Sequence, residues 1–133
     1  MTEVSSHDAS VAGWMERVKG LPPDQLVRAF ETGFGAMWQR AHRTLGDITL
    51  TAIVDRVLYV AGERFPMFTS VRMDGSGLRA EDLHRRASSL PRDQLTDGVR
   101  FVLVQFLTVI GNLSANILTP ALHAELAKNR GGW

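Results

Sequence analysis

Apolar residues recur along this chain at intervals of three and four, the spacing of helices that hide one face from water. Val11, Trp14, Met15 and Val18 form the first such set, with Ser or Asp at 8–10 to cap a short helix and Gly20 to end it. Leu21-Pro22-Pro23-Asp24-Gln25-Leu26 then opens a second helix, because proline costs nothing in a first turn and Asp24 suits the positive end of the dipole. Its stripe runs Leu26, Phe30, Phe34, Met37, Trp38, Ala41, Leu45, about five turns. Gly33 and Gly35 interrupt it and are expected to admit a neighbouring helix closely. Gly46 is placed as a C-terminal cap and Asp47 as the next N-cap. Ile48, Leu50, Ile53, Val54, Val57, Leu58 and Ala61 supply the buried side of a third helix that ends near Gly62, before Pro66.

The pattern changes over 67–73. Phe68, Thr69 and Val71 favour extended structure, and Asp74-Gly75-Ser76-Gly77 signals a turn. A lone extended segment has no evident partner within the chain, so it is expected to pair with a second copy or to cross the bundle. A helix over about 80–87 follows, with Leu83 and Ala87 inward. Leu90-Pro91-Arg92-Asp93-Gln94-Leu95 opens a long apolar helix through about Leu118, and Thr119-Pro120 starts a last one. Leu21–Leu26 and Leu90–Leu95 differ at one position in six, so two units of similar layout follow one another. The fold class expected is mainly all-α: one domain over 1–133, a bundle of about five to six helices built from two helical hairpins, with one short extended segment near 67–73. Residues 1–8 and 130–133 are expected to be flexible.

Composition narrows the functions available. The 133 residues are 44% hydrophobic and 22% charged, which favours a packed core over disorder. A net charge of +1 supplies no strong field for nucleic acid. Without cysteine there is no disulfide, thiolate metal site or thiol nucleophile, which fits a reducing cytoplasm. Thirteen of the fifteen basic residues are arginine, as a GC-rich bacterial genome would give. The start, MTEVSSHDAS, lacks the basic and apolar regions of a signal peptide. Residues 101–122 carry no charge and are long enough to span a bilayer, yet Gln105, Thr108, Asn112, Asn116 and Thr119 share one helix face. Such a stripe is costly in lipid, so a core helix is expected rather than a membrane span.

The same stripe carries the first functional candidate. Amides at Gln105, Thr108, Asn112 and Asn116, if buried, would set a specific helix–helix register, within the bundle or across a dimer, or else line a small-ligand pocket; plain solvent exposure is the third reading. Gly111 and Ala115, four apart, favour close packing.

His42 is the second candidate, lying in Arg40-Ala41-His42-Arg43-Thr44-Leu45-Gly46 among cations suited to a phosphoryl group. The turn resembles the phosphoacceptor helix of histidine phosphotransfer domains, whose His is followed by Leu, Lys and Gly; here a residue is inserted and the lysine is missing. The stretch 42–53 is also similar to the dimerising helix of sensor kinases, but Arg43 stands where the acidic residue belongs and no glycine-rich nucleotide boxes follow. The resemblance implies an exposed phosphoacceptor at His42; an ordinary helix-surface histidine is the plainer reading.

Glu81-Asp82-Leu83-His84 sets a carboxylate and an imidazole one turn apart, but di-iron bundles need two such units, so no metal is expected. Arg79, Arg85, Arg86 and Arg92 form a candidate basic patch for an acidic partner or phosphate, a solvated face being the plainer reading. No Gly-x-Ser-x-Gly elbow and no phosphate-binding loop with its lysine occurs. The expectation is a non-enzymatic interaction or regulatory module without cofactor, homodimeric and cytoplasmic, with phosphotransfer through His42 and a ligand sensor along Gln105/Asn112/Asn116 as alternatives.

Overall fold

The computed structural model describes residues 6–74, 77–114 and 118–128. It is mainly α-helical. The order is α1 (Ser6–Val18), α2 (Pro23–Leu45), α3 (Asp47–Arg64), a 3-10 turn (Pro66–Phe68), β1 (Arg72–Asp74), β2 (Gly77–Arg79), α4 (Glu81–Arg86), a second 3-10 turn (Ala87–Ser89), α5 (Arg92–Leu113) and α6 (Thr119–Lys128).

Two helix pairs, α2–α3 and α5–α6, form the body, with α2 against α6 and α3 against α5. Helix α1 lies across α5 and α6, while α4 and β2 rest on α2. The two long helices open alike. Pro22 and Pro91 precede them with nearly equal φ (−57° and −58°), and each proline carbonyl accepts from a leucine N–H four residues on, Leu26 at 2.9 Å and Leu95 at 3.1 Å. Both leucines are fully buried, so the repeated hexapeptide serves one purpose twice: it starts a helix and anchors its first turn.

The buried apolar residues make one cluster, and among the described residues it includes no polar or charged side chain. Phe30, Phe34, Phe68 and Phe106 fill its middle, with Phe34 and Phe106 4.8 Å apart between centroids and Phe68 edge-on to Phe30 at 5.9 Å. Polar contacts stitch the elements at the rim. Arg17 Nη2 donates to the Leu126 carbonyl at 3.1 Å, tying α1 to α6, and His84 on α4 meets Glu31 on α2 at 2.7 Å.

Several expectations are corrected here. Helix α1 begins at Ser6, inside the stretch expected to be flexible, so residues 8–10 lie within the helix rather than capping it. The segment 67–73 is not a lone strand. Pro66 starts a 3-10 turn that turns Met67 and Phe68 into the core, and the extended part, Arg72–Asp74, pairs antiparallel with Gly77–Arg79. The strand therefore finds a partner within its own chain, three residues away across the expected turn. Gly33 is buried while Gly35 has open space beside it, and Gly62 and Gly98 are pressed against Thr69 and Phe68. Ile48, expected on the buried side of α3, is exposed. Ala115, residues 1–5, and the terminal stretch 130–133 lie outside the described residues.

Candidate functional site

The amide stripe does not enter the core. Gln105 and Thr108 are half-buried at the edge of α5, Asn112 is exposed, and Asn116 lies outside the described residues. The physical reason is the breadth of the apolar face: Val99, Val102, Leu103, Phe106, Leu107 and Ile110 already cover the side of α5 that meets the bundle. Within one chain, therefore, Gln105, Thr108 and Asn112 set no buried helix–helix register.

The basic patch is divided and largely neutralised. Arg79 is 3.2 Å from Glu81, and both Arg85 and Arg86 reach Asp82. The Arg85 guanidinium, with Arg86 and Ser70 helping, holds the Asp82 carboxyl below its ordinary range against the opposing effect of desolvation. Arg92 belongs elsewhere. Its fork donates to the carbonyls of Leu21 at 2.7 Å and Lys19 at 2.9 Å, closing the connection between α1 and α2. Among the described residues no group of three or more His, Asp or Glu is arranged to hold a metal ion.

His42 sits where α2 turns into α3. Gly46 is the single residue between the two helices, at φ 81° and ψ 173°, a conformation almost confined to glycine. Its N–H donates to the His42 carbonyl at 3.0 Å, and its own carbonyl accepts from Leu50 at 3.2 Å. This tight turn carries Asp47, the first residue of α3, to His42: Nε2 lies 2.6 Å from Oδ1. Asp47 thus bonds a side chain instead of capping its own helix. On its other side the His42 ring stacks on Trp38, 4.6 Å between centroids and 24° from parallel. The His42 side chain is 37% exposed, and the nitrogen facing Asp47 is occupied by a carboxylate, which opposes a phosphoryl group at that atom.

Asp47 also begins the outer face of α3, where the structure leaves its largest apolar side chains in water. Ile48 is 89% exposed and Tyr59 63%. With Ala52 and Asp55 between them, at spacings of four, three and four, they share one line along the helix. The core takes Leu50, Ile53, Val54, Val57, Leu58 and Ala61, which places Ile48 and Tyr59 on the opposite side. A shallow depression of about 460 Å³ follows Asp47, Ile48, Thr51, Ala52 and Asp55. Farther along, a deeper hollow of about 340 Å³ opens beside Tyr59, walled by Leu58 and Gly62 of α3 and by Val71 and Arg72 at the hairpin. This hollow exists because Gly62 lets the Thr69 backbone approach, bringing β1 alongside the helix.

Sequence reasoning missed this face. Ile48 was grouped with the core stripe although it precedes Leu50 by two residues, about 160° around the helix. Counting the angle from Leu50 would have turned it outward together with Tyr59. Comparison with protein-family models, with curated proteins and with solved structures finds no match.

Proposed function

We propose that this chain is a non-enzymatic helical interaction module of the cytoplasm, and that the outer face of α3 is its binding surface. The observation that carries the reading is the line Ile48–Ala52–Asp55–Tyr59: two large apolar side chains, mostly in water, at the ends of one helix face, with a small and an acidic residue between them. Singly exposed apolar residues are ordinary, but two on one face beside a hollow suit a surface that meets another helix. The absence of cysteine fits the compartment. Among the described residues no helix is long and apolar enough to cross a membrane.

A photo-crosslinking amino acid at Ala52, with a control at exposed Arg28, tests the reading in living cells. Adducts formed from position 52 and absent from position 28 support it. Equal labelling at both positions, or none at either, ends it.

Phosphotransfer through His42 is a second reading, favoured by the partial exposure of the ring and by Arg40 and Arg43 on the same helix end. It requires the imidazole to leave Asp47, so Asp47→Asn should raise labelling of His42 by a small phosphodonor such as phosphoramidate. No acid-labile label on either form removes the reading. The ligand-sensor alternative draws no support from the α3 hollow, whose walls include neither Gln105 nor Asn112.

A further inference from the structure

Arg92 is the arginine that the fold sets apart from the rest of the basic patch, and other cations gather around it. Thr96 and Arg100 follow it on α5 at intervals of four, which places the three along one side of the helix. Across from them α1 presents Glu16 and Lys19, and a crevice of about 300 Å³ lies between the two helices. Met15, Val18 and Leu26, all buried, give it an apolar floor. Three cations and one carboxylate line it, so positive charge is in excess.

The donors around this crevice are not used up. Arg92 gives one N–H from each Nη to the carbonyls of Leu21 and Lys19; its other guanidinium N–H groups have no partner among the described residues, and no carboxylate pairs with it. Those two bonds also fix the end of α1 against α5, so the walls stand in place before anything enters. Arg100 approaches Asp97 only to 3.9 Å, beyond hydrogen-bonding distance. The Thr96 hydroxyl, half-buried between the two arginines, has no partner among the described residues. Lys19 meets Glu16 at 2.9 Å, but both are mostly in water, where such a pair exchanges readily.

We propose that this crevice binds a phosphate group, either free or as the monoester end of a small molecule. Phosphate suits it better than a carboxylate does. It carries roughly two negative charges at neutral pH, and its tetrahedral oxygens accept from arginines, an ammonium and a hydroxyl on two helices at once. The apolar floor strengthens these contacts, while the exposure of Lys19 and Arg100 keeps them sensitive to salt. The crevice includes no residue of α3, so the site stands independently of the surface proposed above.

A nuclear magnetic resonance titration of the full chain with inorganic phosphate, at an ionic strength held constant with sodium chloride, tests the site. Saturable shift changes are expected at the amides of Lys19, Thr96 and Arg100, with a dissociation constant on the order of 1 mM. Arg100→Gln and Thr96→Val should each weaken binding about tenfold, as the loss of a hydrogen bond to a charged group does. Arg85→Gln removes an equal charge outside the crevice and should leave binding unchanged. Arg92 is kept intact, because it closes the α1–α2 connection, and circular dichroism melts confirm that each variant is folded. Phenyl phosphate serves as the second probe. Binding at least as tight as that of inorganic phosphate identifies an ester as the ligand, and weaker binding identifies the free anion. No saturation up to about ten times the expected constant, or equal weakening by Arg85→Gln and Arg100→Gln, overturns the proposal.

Discussion

Gly98, in the second turn of α5, faces the ring of Phe68 so closely that a β-carbon would overlap the Phe68 side chain. The relationship links the two halves of the molecule. Phe68 is fully buried and stands edge-on to Phe30 of α2, so the absent methyl at position 98 is what lets the ring reach between the helices. Gly98→Ala should therefore destabilise the fold, by about 1–3 kcal/mol for an overpacked site. Gly35, also inside a long helix, has nothing within 4 Å of an added β-carbon. Gly35→Ala should stabilise by up to about 1 kcal/mol through helix propensity. Urea denaturation of both variants checks the opposite signs.

Gly46 makes the turn that brings Asp47 to His42. Its φ of 81° with ψ of 173° strains any residue with a β-carbon, although no atom stands in the way. Gly46→Ala should cost about 1–3 kcal/mol. The loss should come with a change in the indole environment of Trp38, which stacks on His42, seen by near-ultraviolet circular dichroism.

Arg92 closes the α1–α2 connection with two charge-assisted hydrogen bonds to backbone carbonyls. Arg92→Ala should cost about 1.5–3 kcal/mol in chemical denaturation. Arg92→Lys should recover only part of that, because an ammonium lacks the planar fork that serves both carbonyls at once.

His123 of α6 and His7 of α1 meet at 3.0 Å, ring nitrogen to ring nitrogen. Desolvation, and after it the neighbouring His7, holds the His123 imidazole below its ordinary value of 6.5. The unfolded chain then binds a proton that the folded chain resists, so stability rises with pH across this window. It is complete above the ordinary value and is lost as pH falls below it, until the folded imidazole is itself protonated. The melting temperature should drop between pH 7 and pH 5, and His123→Asn should flatten that slope. Asp82, whose carboxyl lies below its ordinary 3.8, contributes stability that disappears only in more acid solution.

The faces of α1 and α2 were legible because Val11, Trp14, Met15 and Val18, and then Leu26 through Ala41, repeat at the helical period over several turns. Less legible was whatever depends on a distant partner. The hairpin strand Gly77–Arg79 is three residues long, too short to show alternation, so its pairing with Arg72–Asp74 could not be read from pattern. Which glycine faces a neighbour was equally hidden: Gly98 is set by a phenylalanine thirty residues earlier in the chain. The His42–Asp47 pair lay within reach of sequence reasoning, since a glycine joining two helices brings the last turn of one to the first turn of the next. Asp47 was read as a cap because that is the usual role of an aspartate at that position.

The outer face of α3 is the centre of this account, and photo-crosslinking from Ala52 in cells examines it most directly. Adducts from position 52 with none from exposed Arg28 are the predicted result. Equal labelling at the two positions, or none at either, would contradict it.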